Sequence, residues 1–306
     1  MVATPLPAVL AVQFLAAATS WPALRWTGWT RAAWFVALAA ITMVLPLTID
    51  ADHRVSRLVA ALWASWMTSK LLDLHSGVRP DERLGVGEFL LYLVNPFWIA
   101  RQLRPPRLPW RDDVRRLVWR ATGAVVLVAA TVAVFQIHWA RWPFALEHAV
   151  KALLFISTVA AVTNTLAVLW RLAAGRGIDA MRRPLVATTP ADFWRRWNLP
   201  ARQFFRAYGF APFGGRRRTF TAAALTFVAS ALGHEYIFSI AAGRVQGLQT
   251  AFFLISGIAA VSTLRARPTG WRRAVSTAAT LVFLLVTTVL FGWSLNEIVP
   301  IYDARR

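Results

Sequence analysis

The sequence predicts an all-α, polytopic transmembrane bundle of about eight spans with re-entrant or interfacial helices. Three observations predict it. Hydrophobic residues make up 57% of the 306 positions, and mean hydropathy is +0.49. Soluble domains are apolar at about 45–50% by a count that also includes glycine. Several apolar runs approach the roughly 20 residues that cross a bilayer as a helix. The basic residues then fall on one side of the chain so threaded, as cytoplasmic loops require.

The spans lie near 5–19, 33–49, 55–72, 121–137, 147–170, 219–240, 248–264 and 274–293. The first lacks a charged leader and reads as a retained span, not a cleaved signal. Segment 86–100 is too short to span and contains Asn95-Pro96, so it is expected to be re-entrant or interfacial. With the N-terminus outside, segments 20–32, 70–120, 171–218 and 265–273 are inside and carry 27 of the 34 Lys and Arg. Making 86–100 a span barely alters that bias, so charge leaves the N-terminal half open. Segment 101–120 holds Pro105-Pro106, Pro109 and seven Arg; it cannot be helical throughout, and a solvated cytoplasmic loop is expected. Lys70 is expected to snorkel. No internal repeat is evident across residues 1–306, which read as one integral-membrane domain with its motif core at 185–240.

The net charge of +20 would suggest nucleic acid in a soluble protein. In a membrane protein it is assigned to cytoplasmic loops, phosphate-bearing ligands and membrane lipids, with no nucleic-acid partner. There is no cysteine, which excludes disulfides, Cys-bound metal and a Cys nucleophile. The near-exclusive use of Arg over Lys hints at a bacterial source, hence a cytoplasmic membrane.

Two stretches carry chemistry. Asp192-Phe193-Trp194-Arg195-Arg196-Trp197-Asn198 reads as an interfacial amphipathic segment. Thr188 or Thr189 would cap it, with Pro190 in its first turn, and Pro200 would bend the chain after it. Ser230-Ala231-Leu232-Gly233-His234-Glu235-Tyr236 lies inside an apolar helix. Ionisable groups there are costly and face cavities; interhelical polar glue is the plain alternative. Removed from water, His234 stays uncharged, the form a general base needs. Ser230 and His234 share a face at i, i+4, so the Ser230 hydroxyl is placed to fix the imidazole tautomer. Glu235 points about 100° away, toward an Arg or a backbone group. No second His follows at i+4, which argues against a zinc protease. His53, His138 and His148 fall at or near outer span edges and His75 at an inner one; all four read as interfacial.

The pair of motifs, about 36 residues apart from Asn198 to His234, resembles the membrane-bound O-acyltransferase superfamily. Its plant-type wax synthase branch, with a similar Phe-Trp-x-Arg-Arg-Trp-Asn run before a buried His, is the nearer likeness. Met67-Thr-Ser-Lys-Leu-Leu-Asp-Leu-His75 resembles another segment of that branch. The resemblance implies transfer of an acyl group from acyl-CoA to a lipid or alcohol hydroxyl, with acyl-CoA as co-substrate and neither cofactor nor metal. It implies that His234 is the base, that Asn198 holds the reacting groups, and that Trp194, Arg195, Arg196 and Trp197 surround them. Ser230 and Glu235, beside the histidine, are further substrate-site candidates. Arg195, Arg196, Arg202 and Arg216–Arg218 form a basic face suited to phosphates. A long-chain alcohol is the expected acceptor, with a sterol, a glycerolipid or a small metabolite as alternatives. A proton-coupled transporter or lipid-binding bundle using His234 and Glu235 is the competing class.

Overall fold

The structure, a computed structural model, describes residues 4–78, 82, 84–101 and 109–302. Arg104 to Arg107 of the Pro-Arg stretch and the terminal Arg305 and Arg306 lie outside the described residues. Twelve α-helices occur among those described: α1 (Leu6–Ala18), α2 (Ser20–Ala23), α3 (Gly28–Val44), α4 (Arg54–Gly77), α5 (Val86–Val94), α6 (Trp110–Phe135), α7 (Phe144–Ala174), α8 (Pro190–Arg196), α9 (Leu199–Phe205), α10 (Thr219–Ala242), α11 (Leu248–Ser262) and α12 (Trp271–Asn296). Described residues contain no strand.

Each of the eight expected spans is a helix, and six stretches are long and apolar enough to cross a membrane: Leu6–Ala23, Gly28–Thr48, α6, α7, α10 and α12. The other two, α4 and α11, fall short for different reasons. Helix α4 has the length, 24 residues, but carries Arg54, Arg57, Lys70 and Asp73. Helix α11 has 15 residues, about 22 Å at 1.5 Å each. The expectation of a loop over 101–120 fails in its second half. Pro109 stands at the N-cap and α6 begins at Trp110, with Asp112 and Asp113 in its first turn. Proline is tolerated there because its missing N–H would have had no helical partner, and the acids suit the positive end of the helix.

Segment 86–100 does not form a spanning helix, as expected. Helix α5 has nine residues, about 13 Å of rise. The chain then continues as irregular backbone buried in protein, with Asn95, Trp98 and Ala100 at most 1% exposed. Non-helical backbone at this depth needs donors from the protein itself. Lys70 supplies them. It is fully buried, and its Nζ donates to the carbonyls of Tyr92, Asn95 (2.7 Å) and Trp98 (3.1 Å). The expectation that Lys70 snorkels is therefore wrong: orphan carbonyls past the end of α5 outbid the interface. Asp73 completes the joint, accepting from Tyr92 Oη (2.9 Å), the Arg101 N–H (2.9 Å) and Tyr208 Oη (2.6 Å).

Helix packing forms an open ring. Helices α1 and α3 pack on α4, α4 on α10, α10 on α11, α11 on α12, α12 on α7 and α7 on α6. Without a hydrophobic drive between helices in lipid, close approach of small residues dominates. Ala60, Ala61 and Ala64 of α4 and Ala241 of α10 are fully buried. At Gly257 of α11 an added Cβ would stand 2.7 Å from Phe227 Cβ, so only glycine lets α10 and α11 meet there. At the inner end, Arg171 of α7 binds Asp113 of α6 (2.8 Å) and Asp179 of the following loop (3.0 Å), and Arg120 grips both Asp179 oxygens at 2.8 Å. Asn164 exchanges two hydrogen bonds with the Met181 backbone, each 3.0 Å. The 178–182 loop is thus pinned beneath the ring.

Candidate active site

The short helix α8 is set by its first turn. Thr189, not Thr188, is the cap: its Oγ1 accepts from Asp192 N at 3.1 Å, while Asp192 Oδ2 accepts from Thr188 N at 3.1 Å. Reciprocal bonds of this kind contribute about 1 kcal/mol and fix where the helix starts. Phe193 stacks on Trp197 at 5.6 Å, and Trp194 wedges between Phe227 (5.6 Å) and Phe253 (5.5 Å). The bend after the motif does not come from Pro200, which starts α9. It comes at Asn198, in the left-handed region (φ 40°, ψ 66°) that Asn tolerates better than most residues. Leu199 N donates to Ala180 O at 2.7 Å, tying the bend to the pinned loop.

Asn198 is oriented by its own cap. Its Oδ1 accepts from Ala201 N at 3.2 Å. An amide whose oxygen is committed in this way presents its NH₂ outward as a donor.

His234 sits on α10 with its ring against Phe253, centroids 4.0 Å apart. Its Nδ1 lies 2.8 Å from the carbonyl oxygen of Ser230 and 3.5 Å from the Ser230 hydroxyl. The tautomer is fixed by the backbone, not by the hydroxyl as expected. A carbonyl only accepts, so Nδ1 carries the proton and Nε2 is left with its lone pair. Nε2 has no hydrogen-bond partner among the described residues.

Both residues line one chamber of about 950 Å³, walled by α4, α6, α7, α8, α9, α10, α11 and α12. Its lining is overwhelmingly apolar, including Trp66, Phe97, Trp170, Phe252 and Phe291. Along α7 it runs from His148 to Ala173, about 37 Å of helix, somewhat more than the roughly 30 Å hydrocarbon thickness of a bilayer.

The remaining expected site residues divide. Trp194 and Trp197 line the chamber; Arg195, Arg196, Ser230 and Glu235 do not. Glu235 faces away, accepting from the N–H groups of Gln246 (2.9 Å), Gly247 (2.7 Å) and Thr250 (3.0 Å) and from Thr250 Oγ1 (3.0 Å). It holds the start of α11, because the free N–H groups of a helix N-terminus need an acceptor where water is scarce. Arg196 and Arg195 pair with Asp192 at 2.9 and 3.6 Å. Burial pushes the Asp192 carboxyl up, but the Thr188 N–H and the two arginines outweigh it, and it sits below its usual 3.8. Arg202, two residues past Pro200 of the chamber wall, has no acidic partner among the described residues. Burial and the nearby Arg206, Arg195 and Arg182 all push its guanidinium below the usual value.

Sequence reasoning missed the far end of the chamber. His148, read as interfacial, lines it together with Lys151, Thr288 and Tyr302. The signal was present: Glu147, His148 and Lys151 fall in a run otherwise apolar enough to span. His75, by contrast, packs on Phe35 (centroids 5.4 Å) and is not part of the chamber.

A helical bundle with six stretches able to span a membrane and an apolar chamber that holds an imidazole with a free Nε2 lone pair beside an amide is a multi-pass membrane protein with an internal site. The model of the membrane-bound O-acyltransferase family matches residues 113–293, well over half the chain, and the chain belongs to that family. It is accordingly an acyltransferase of the multi-pass membrane kind. No curated protein compared with it matches.

Proposed function

We propose that the chain, acting as one membrane domain, transfers a fatty acyl group from acyl-CoA to the hydroxyl of an amphiphilic acceptor, a long-chain alcohol being the simplest, with His234 as general base. The observation that carries this is the chamber: the Nε2 lone pair of His234 and the amide face of Asn198 share an apolar space large enough for lipid chains.

In the reaction Nε2 takes the proton of the acceptor O–H as that oxygen attacks the thioester carbonyl. Asn198 Nδ2 donates to the oxyanion that develops. The C–S bond breaks, the thiolate leaves as coenzyme A, and it recovers the proton from Nε2. Base catalysis of this kind is worth about 10²–10⁴-fold and one oxyanion donor about 10²–10³-fold. No metal is needed for either step. Water exclusion by the aromatic wall favours transfer over hydrolysis. Arg182, Arg202 and Arg206, which lie near one another and have no acidic partner among the described residues, suit the donor's phosphates better than Arg195 and Arg196, which share the one carboxylate of Asp192. The Arg-rich composition suits a bacterial cytoplasmic membrane, and the motif around Asn198 suits the wax synthase branch.

The experiment is ester formation from labelled acyl-CoA and fatty alcohol by detergent-purified protein. His234→Ala is expected to abolish product while the thermal midpoint stays within a few degrees. Wild-type product from that variant would end the mechanism.

A further inference from the structure

The outer limb of the chamber, the part lined by His148, Lys151, Thr288 and Tyr302, holds groups that acyl transfer does not use. Lys151 lies seven residues into α7, about 10 Å from its start. His234 lies eight residues before the end of α10, about 12 Å in. Both helix ends are on the outer side by charge bias, so the two residues sit at similar depth. Between them runs an aromatic wall in which each ring is within 6.0 Å of the next: His234, Phe253, Phe252, Phe291, Phe155. Phe155 is one helical turn beyond Lys151.

The polar end is built, not incidental. Lys151 is 7% exposed, and its Nζ donates to Glu147 Oε1 and to the Ile301 carbonyl, each at 2.6 Å. A third ammonium proton has no oxygen partner among the described residues; the rings of Phe135, Trp139 and Tyr302 stand 5.0–5.9 Å away. His148 is locked, its Nε2–H donating to Leu285 O (2.8 Å) and its Nδ1 accepting from Tyr302 Oη (2.7 Å). Tyr302 reaches it only because residue 292 is glycine: a Cβ there would fall 2.0 Å from Tyr302 Oη. A buried ion pair is costly and stabilises poorly compared with apolar packing. Anchoring the C-terminal segment alone does not require a charge in the wall of a lipid-sized chamber, where ionisable groups mark ligand positions.

The geometry points to a head-group subsite at Lys151 for the acyl acceptor. The acceptor places its reacting hydroxyl at His234 Nε2, an apolar stretch along the Phe253–Phe155 wall, and a second oxygen function on the Lys151 ammonium. It is a bifunctional amphiphile, a long-chain diol or hydroxy acid in its simplest form, rather than a monofunctional alcohol. This rests on the acyltransfer reading above and narrows its substrate.

The test compares 1-dodecanol, 1,12-dodecanediol and 12-hydroxydodecanoate as acceptors with one fixed acyl-CoA, in wild type, Lys151→Met and Lys151→Arg. Wild type is expected to favour the two bifunctional acceptors at least tenfold in kcat/KM. Lys151→Met is expected to bring the ratio to near one, and Lys151→Arg to keep most of it. Because Lys151→Met also loosens the Ile301 contact, the wild-type ratio by itself decides. Equal use of all three acceptors by wild type overturns the subsite, as does a preference that survives in Lys151→Met. A change in acyl-chain preference in place of acceptor preference would assign the outer limb to the donor and overturn it too. Binding separates the two readings: 12-hydroxydodecanoate should raise the thermal midpoint of the His234→Ala protein more than 1-dodecanol does, and only while Lys151 is present. If that holds but no acceptor is esterified by wild type, acyl transfer as proposed fails and the subsite stands. If esters form without discrimination and the midpoint shifts are equal, the reverse is true.

Discussion

Asn198→Asp separates the chemistry of this residue from its structural role. Asn198 does two structural things: it holds a left-handed bend (φ 40°) and its Oδ1 caps α9 through Ala201 N. Alanine would lose both, at about 1 kcal/mol for the cap and 1–2 kcal/mol for the backbone. Aspartate keeps the cap and is tolerated in the left-handed region, so the fold should survive. What it removes is the NH₂ donor facing the chamber, replacing it with an oxygen that accepts. If that donor meets the oxyanion, turnover should fall about 10²–10³-fold, or 2.7–4 kcal/mol. The KM for acyl-CoA should change only a few-fold, because the loss falls on the transition state. Asn198→Gly is the companion: glycine suits the backbone and costs a helix cap only a few tenths of a kcal/mol, yet it also lacks the donor. The assay is steady-state ester formation with purified protein, alongside thermal unfolding. An Asn198→Asp enzyme that keeps more than a tenth of wild-type kcat would refute the assignment.

Gly257→Ala should destabilise the protein by about 1–3 kcal/mol, since its Cβ would meet Phe227 Cβ at 2.7 Å and overpacking costs that much; loss of activity should exceed the loss of folded protein, because Phe227 also seats Trp194. Arg202→Gln with Arg206→Gln should raise KM for acyl-CoA about tenfold or more and weaken its salt dependence, with kcat for bound donor little changed; an unaltered KM would place the phosphates elsewhere. Burial raises the Asp179 carboxyl, but Arg120 and Arg171 outweigh it and hold it below 3.8. Its contribution is therefore fully present above about 3.8 and is lost as pH falls through the depressed folded value. The midpoint gap between wild type and Asp179→Asn should stay constant from pH 7 to 5 and close only in stronger acid. A gap that closes between pH 7 and 5 would mean Asp179 is not held ionised.

Covalent order and hydropathy carried most of the architecture. An apolar run of some twenty residues has one cheap conformation in lipid, the helix that satisfies its own backbone, so all eight expected segments fall on helices, six of them long and apolar enough to span. That 86–100 forms no spanning helix follows from length in the same way. Helix caps are equally local, which is why Thr189 and Pro190 were readable beside Asp192. His234 stood out because an imidazole inside hydrocarbon is costly; Asn198 stood out only through the resemblance of its motif.

What local rules could not reach was direction. Whether Lys70 turns to the interface or to the carbonyls behind α5, whether Glu235 faces a substrate or the start of α11, and whether the Ser230 hydroxyl or its carbonyl fixes His234 all depend on which helix lies alongside. Arg195 and Arg196 look like phosphate ligands until Asp192 is seen to hold them. Lys151 was read only as a basic residue near the outer end of a span, and only the packing of α7 against α12 and the 297–302 segment makes it part of a chamber wall. Hydrocarbon penalises an unpaired polar group by several kcal/mol, so most of these groups find a partner. Chain order says that the partner must exist; the assembled bundle says which one it is.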